Sequence, residues 1–260
     1  MAAACGGRRV PERSPFMKDR QETLRAVILA GGKGTRLYPY TAILPKPLMP
    51  VGDLPILEVV IRQLRRANIS SITICVGHLA SLIQAYFGTG ERWDVTIDYS
   101  REDKALGTAG PLALLEGLSM TFLVMNGDLL TTMDYRNMQR CHVEGNAMVT
   151  VGLFRKRVKI DLGVIETASD LQITAYVEKP TFDYDVSMGI YMMEPAVLSY
   201  IPKDQRLDLP DLIKMLISDK RRVLGYRFDG HWLDIGHPND YACATDLFEK
   251  ERSVFLPGDS

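Results

Sequence analysis

Apolar residues gather in short runs that alternate, through the first half of the chain, with segments where they recur every three or four positions. Residues 25–30 (RAVILA) are one such run, closed by Gly31 and Gly32, and read as a buried strand entering a loop. Within 54–67, Ile56, Val59, Val60, Gln63 and Leu64 fall at helical spacing while Arg62, Arg65 and Arg66 take other positions. That spacing predicts an amphipathic helix with Asp53 as its N-cap and Pro55 near its first turn. Residues 71–77 (SITICVG) read as a second buried strand, followed by a helix over 79–87, a strand at 95–99 and a helix over 109–118. A further apolar strand, 121–125 (TFLVM), ends at Asn126-Gly127-Asp128. Strands and helices alternating through short links predict an α/β fold, a mostly parallel sheet with helices on both faces.

The second half is less regular. Segments 147–154, 162–166, 171–177 and 187–193 look like strands with few helices between them, and helices return near 209–218 and 237–251. The later strands are expected to extend the sheet or to form a smaller β-rich part. With no repeat and no flexible linker, residues 23–260 are expected to form a single domain, and 1–22 a disordered leader or a mis-called start ahead of Met17.

Composition narrows this reading only a little. The 260 residues are 46% hydrophobic and 24% charged, which is ordinary for a globular chain. Lys plus Arg (31) against Asp plus Glu (32) leaves a formal charge of −1, which argues against a broad nucleic-acid surface. Cys5, Cys75, Cys141 and Cys243 are far apart and form no C-x-x-C pair, so neither a zinc site nor a disulfide framework is expected, and a reducing cytoplasm fits. No apolar run approaches the roughly 18–20 residues of a membrane span. Arg8, Arg9 and Arg13 precede no apolar stretch of the kind a secretory signal needs.

The segment richest in chemistry is 29–51, LAGGKGTRLYPYTAILPKPLMPV. It follows a strand, where open parallel sheets bind their ligands. Gly31, Gly32 and Gly34 permit close backbone approach, and successive N–H groups in such a loop form a nest for phosphate oxygens. Arg36 adds a forked, permanently charged donor, and Lys46 a compact point charge. Neither better-known phosphate motif matches. No G-x-x-x-x-G-K-[ST] string occurs, and Gly32-Lys33-Gly34-Thr35-Arg36 is followed by Leu37 rather than the third glycine of a dinucleotide fingerprint, although Asp53 lies at a tempting distance beyond.

The string GGKGTRLYPYTAILPKPLMPV closely resembles the signature of sugar-1-phosphate nucleotidyltransferases, G-G-x-G-T-R-L-x-P-x-T-x-x-x-P-K-P. Residues 25–245 as a whole resemble the catalytic part of bacterial mannose-1-phosphate guanylyltransferases. The resemblance implies a Rossmann-like fold of the nucleotide-diphospho-sugar transferase type, in which Leu29, Ala30, Gly31, Gly32, Gly34 and Thr35 hold the nucleotide and Arg36 and Lys46 are catalytic. Residues 106–111 (LGTAGP) resemble the loop that contacts the nucleobase, through Gly107, Thr108 and Ala109; read alone, they would be a turn capping a helix. Asn126-Gly127-Asp128 puts a carboxylate at a strand end, and the resemblance makes Asp128 both catalytic and a Mg²⁺ ligand. Trp232-Leu233-Asp234-Ile235-Gly236 resembles the element whose aspartate, Asp234, completes the metal site. His231 and His237 beside it are taken as loop residues.

Val177-Glu178-Lys179-Pro180 resembles the sugar-phosphate station, with Glu178 for hydroxyls and Lys179 for phosphate; Gly163 and Gly189 are implied as backbone approaches to the sugar. Many relatives carry Asn where this chain has Ser187, so no role passes to that side chain. The implied reaction joins a nucleoside triphosphate to a sugar 1-phosphate. GTAGPL resembles the guanylyltransferase version of this loop more than the thymidylyltransferase version, which implies GTP; mannose 1-phosphate is the default sugar, and UTP or dTTP with glucose 1-phosphate is the alternative. A non-catalytic nucleotide-sugar-binding regulatory subunit and a dinucleotide-binding oxidoreductase are the readings from other classes. The chain ends at Ser260 without a repeat-built C-terminal β-helix, so oligomerisation and feedback control that use that domain are not carried over; a homodimer is implied by the family alone.

Overall fold

A computed structural model describes residues 24–258; the expected leader, 1–22, lies outside the described residues. Its centre is a seven-stranded sheet. The chain enters through β1 (Arg25–Ala30), passes a loop of short 3-10 turns and a two-residue ribbon, β2 (Pro50–Val51) and β3 (Leu54–Pro55), and reaches α1 (Ile56–Arg66). It continues through β4 (Ser71–Val76), α2 (Ala80–Phe87), β5 (Thr96–Arg101), β6 (Phe122–Asn126), β7 (Leu129–Thr131) and α3 (Tyr135–Glu144). The β-rich stretch follows, with β8 (Val149–Lys159), β9 (Val164–Thr167), β10 (Ile173–Val177) and β11 (Thr181–Met193). Then come α4 (Leu209–Ser218), β12 (Val223–Phe228), β13 (Trp232–Asp234), α5 (Pro238–Lys250) and α6 (Arg252–Phe255).

Strand order in the main sheet is β12-β8-β11-β6-β1-β4-β5. Only β11 runs against its neighbours, β6 and β8; the other pairings are parallel. The chain therefore moves outward from β1 to β4 and β5 and then returns to place β6 on the other side of β1. The carboxyl ends of β1 and β6 form the point where the winding reverses, the position at which such sheets open a crevice.

Apolar side chains explain why the sheet is covered on both faces. Ala26, Ile28, Ile72, Ile74, Leu123 and Met125 pack on one side with Leu57, Val60, Ile61 and Leu64 of α1. Val27, Cys75, Phe122 and Val124 pack on the other with Leu209, Leu212 and Leu216 of α4. Burial also pushes the Cys75 thiol up to about 12, which makes it a core residue rather than a reactive one.

Two local expectations are corrected. Asp53 does not cap α1. Gly52, with φ +60°, and Asp53 turn the β2–β3 ribbon, the Asp53 carboxylate pairs with Arg252, and the helix begins only after Pro55. The helix expected over 109–118 is a 3-10 helix, Gly110–Leu114. Its start is fixed because Leu207 O accepts from both Ala109 N and Gly110 N, and Pro111 has no N–H to offer.

Candidate active site

The glycine loop sits at the crevice. Gly34 adopts φ +62°, and a Cβ there would lie 2.8 Å from the Thr41 side chain, so only glycine fits without displacement. Thr41 Oγ1 donates to Gly34 O at 2.8 Å and closes the loop over the turn that begins at Lys46. Pro45 and Pro47 flank Lys46, fixing the backbone from which its side chain extends. Leu29 O, at the end of β1, accepts from Gly127 N at 2.9 Å and ties the loop to the Asn126-Gly127-Asp128 turn. Ala30 is buried, Gly32 faces open space and Thr35 opens the 3-10 turn that carries Arg36.

Asp128 and Asp234 are far apart in sequence and adjacent in space. The short antiparallel pair β7–β13 sets Asp234 opposite Leu129, and Ile235 N donates to Asp128 O at 3.4 Å. Trp232 anchors the segment, with its indole N–H on Met188 O at 3.1 Å and its ring against Phe154. The Lys46 ammonium contacts Asp128 directly and lies 3.8 Å from Asp234 Oδ1. Asp128 Oδ1 is buried and has no hydrogen-bond partner. Burial, followed by the neighbouring Asp128 charge, raises the Asp234 carboxyl above its ordinary value, while Lys46 and Arg36 pull it back. Arg36 lies against Gly236, where an added Cβ would come 3.4 Å from its guanidinium.

Two carboxylates facing one position, Asp128 largely buried with an oxygen still unpartnered and Asp234 open to solvent on one side, fit a hard divalent cation that prefers oxygen ligands. The expected loop histidines stay out of this cluster. His231 Nε2 is 2.8 Å from Glu251, and His237 caps α5.

The other expected residues divide into those near this cluster and those that stay in their own neighbourhood. Gly189, φ +72°, sits at an irregularity in β11, where a Cβ would lie 2.6 Å from the Asn126 amide; its backbone thus approaches the Gly127-Asp128 turn. Gly107 adopts φ +80° against Leu207 and Asp208. Thr108 N donates to Asp208 at 3.1 Å, and Thr108 Oγ1 accepts from Leu209 N at 2.7 Å, so this loop caps α4. Glu178 accepts from Tyr176 OH at 3.0 Å and is 4.0 Å from Lys179 Nζ, and Gly163 packs on the same Tyr176. Those contacts are confined to the β9–β10 hairpin and its flanks, and both Glu178 and Lys179 are exposed.

One crevice residue was missed in the sequence. Glu102 leaves the end of β5 and turns back over two neighbouring strand ends. An added Cβ at Gly31 would lie 2.6 Å from its Oε1, and one at Gly77 3.1 Å from the same atom. Its Oε2 accepts from Leu106 N at 2.9 Å, just before Gly107. An acidic residue at a strand end five positions ahead of Gly107 was the available signal.

A doubly wound sheet with a glycine loop and paired carboxylates at its reversal point defines a nucleotide-handling α/β protein, and residues 25–251 match the family model described as nucleotidyl transferase. The chain belongs to that family. It is 34% identical over 259 residues to a UTP–glucose-1-phosphate uridylyltransferase of Synechocystis, an alignment covering 90% of this chain and 66% of the relative. It is 31% identical to a mannose-1-phosphate guanylyltransferase of Mycobacterium tuberculosis, covering 83% of this chain and 62% of that one. The chain thus spans slightly under two thirds of the length of these relatives. Among solved structures, a chain described as a glucose-1-phosphate thymidylyltransferase of Bacillus anthracis matches with a TM-score of 0.70 and 27% identity, covering 86% of this chain and 94% of that one. HddC from Yersinia pseudotuberculosis shares the fold, with a TM-score of 0.68 and 22% identity over 86% of this chain and 99% of that one. Among the described residues, no helix is long and apolar enough to cross a membrane.

Proposed function

We propose that this chain transfers a nucleotidyl group from a nucleoside triphosphate, with GTP favoured, to a sugar 1-phosphate, with mannose 1-phosphate as the default acceptor. The observation that carries the reading is the convergence of Lys46, Asp128 and Asp234 beside the glycine loop at the sheet's reversal point. In the proposed reaction a phosphate oxygen of the sugar 1-phosphate attacks the α-phosphorus of the triphosphate. A new P–O bond forms, the bond to the oxygen bridging the α- and β-phosphorus breaks, and pyrophosphate leaves with that oxygen. The nucleophile is already anionic, so the work is positioning and charge neutralisation. The loop amides and Arg36 face the β- and γ-phosphates, Lys46 offsets charge at the α-phosphate, and Lys179 receives the sugar phosphate. Asp128 and Asp234 would hold Mg²⁺, which would supply positive charge against the triphosphate.

Glu102 supports guanine. A carboxylate accepts two parallel hydrogen bonds, and the guanine edge offers adjacent N1–H and N2–H donors. Uracil and thymine present one N–H between two carbonyl oxygens, which face a carboxylate unfavourably. The Synechocystis relative's name favours UTP with glucose 1-phosphate as the second reading.

Pyrophosphate release with Mg²⁺ across GTP, UTP, dTTP, CTP and ATP, each paired with several sugar 1-phosphates, tests both. Release that needs both substrates and is fastest with GTP is the expected result. A UTP or dTTP maximum transfers the assignment to the second reading. Silence with folded protein, together with binding of a finished nucleotide-sugar, supports a regulatory subunit instead.

A further inference from the structure

The cation between the two carboxylates is the protein's own. The Lys46 ammonium touches Asp128 and faces Asp234 at 3.8 Å, and its side chain is only 11% exposed. A divalent ion on these oxygens would sit within a few ångströms of that ammonium, and two cations at such spacing near a protein surface repel strongly. The Lys46 backbone is constrained by Pro45, by Pro47 and by the bond from Met49 N to Lys46 O at 3.0 Å. Its four-carbon stem is the part free to move. Without Lys46, Asp128 and Asp234 would face each other with only Arg36, on the Asp234 side, to offset their charge.

We propose that Lys46 is a built-in placeholder that holds Asp128 and Asp234 together before substrates arrive and suppresses divalent-cation binding until a nucleotide phosphate draws its ammonium away. The inference rests on the nucleotidyl-transfer reading for the destination of Lys46, but its central claim concerns the free protein. The cation site is closed by an internal charge, so nucleotide and cation bind with positive coupling through one side chain.

The test is Mn²⁺ binding to the full chain, followed through the electron paramagnetic resonance signal of the free ion, with and without a non-hydrolysable GTP analogue. Wild type is expected to bind Mn²⁺ weakly alone and at least about tenfold more tightly with the analogue, the scale of one relieved charge repulsion. Lys46→Met is expected to tighten Mn²⁺ binding about tenfold without nucleotide, Lys46→Gln to do the same, and Lys46→Arg to remain weak. Adding Asp128→Asn to Lys46→Met should abolish the gain. Far-ultraviolet circular dichroism selects the folded variants. Mn²⁺ binding no tighter in folded Lys46→Met or Lys46→Gln than in wild type overturns the proposal, as does a gain that survives Asp128→Asn. Because this titration needs no turnover, its failure is distinguishable from silence in the pyrophosphate assay.

Discussion

At the carboxyl ends of β1 and β6 the Lys46 and Asp128 side chains are largely buried, whereas along the outer halves of β8 and β11 the charged groups are many and open to water. In the enclosed region the β7–β13 pairing and the Leu29–Gly127 bond fix each backbone, so Asp128, Asp234 and Lys46 have little choice of partner. In the outer ribbon the register sets Arg155 against Asp185 and Arg157 against Asp183, and Arg227 of β12 reaches Asp185 at 2.8 Å. The hydrogen bond from Arg227 holds the Asp185 carboxyl below its usual value, yet these exposed pairs are screened by water and contribute little to stability. The ribbon's other face carries Phe154, Lys156, Val158, Phe182, Tyr184 and Val186, and its inner end, at Phe154, packs on Trp232. Lys46 and Asp128 thus sit where neighbouring segments hold them, while Glu178 and Lys179 sit exposed beyond the sheet.

The largest effect belongs to the enclosed end. Asp128→Asn removes one of two carboxylates facing the same cation and is expected to lower turnover by about 10²–10³, the cost of losing one preorganised electrostatic partner. Pyrophosphate release at saturating substrates and Mg²⁺ measures it; a turnover within about threefold of wild type would remove Asp128 from the machinery. At the open end, Lys179→Ala is expected to raise KM for the sugar 1-phosphate about tenfold, the loss of one charge-assisted contact, with the nucleotide KM nearly unchanged. Equal changes in both KM values would erase the contrast between the regions. Between these lies Glu102→Gln, expected to cut the preference for GTP over UTP at least about tenfold in kcat/KM. Unchanged selectivity would mean that Glu102 only braces the loop through Leu106.

How much of this could be read in advance follows from where the information lies. The glycine loop, the Asn126-Gly127-Asp128 turn and the Trp232–Gly236 segment each carry their chemistry in contiguous residues, and the buried strands β1, β4 and β6 announce themselves as apolar runs. Helix α3 did not, because its buried positions are Tyr135, Met138 and His142, a thin stripe one third of which is polar. The outer halves of β8 and β11 were cut short for a similar reason. Residues 155–159 (RKRVK) and 181–185 (TFDYD) form an open ribbon exposed on both faces, so the alternation of Phe182 and Tyr184 with Asp183 and Asp185 marks no core face. Glu102 has meaning only once Gly31 and Gly77 are beside it, a juxtaposition made by the order of β1, β4 and β5.

The two regions share strands, which makes their unequal stability measurable within single elements. Amides of Val149–Val151 and Ile190–Met193, whose side chains are mostly buried, should exchange near the global unfolding limit. Those of 155–159 and 181–185 should exchange through local opening, at least about 10²-fold faster. Uniform protection along β8 and β11 would show that the ribbon is braced as firmly as the sheet.

The inner end of the shared strands is pinned by a polar contact, and its titration gives the smallest predicted effect. His142 is almost wholly buried, with Nδ1 2.8 Å from Thr150 Oγ1 on β8 and Nε2 3.1 Å from Glu194, directly after β11. Burial lowers its pKa below 6.5, and the hydrogen bond and charge of Glu194 only partly restore it. A histidine lowered in the folded state binds its proton more readily once unfolded. Its contribution is therefore fully present above about pH 6.5 and is lost as pH falls from there toward the folded value. Thermal unfolding should accordingly shift down by a few degrees between pH 7 and pH 5, the change expected from about 1 kcal/mol in a chain of this size. In His142→Gln, which keeps a donor and an acceptor but does not titrate, the slope of Tm against pH should flatten even if the variant starts lower. An unaltered slope would place the acid sensitivity elsewhere, and the join between the enclosed sheet and the open ribbon would then owe nothing to the protonation of His142.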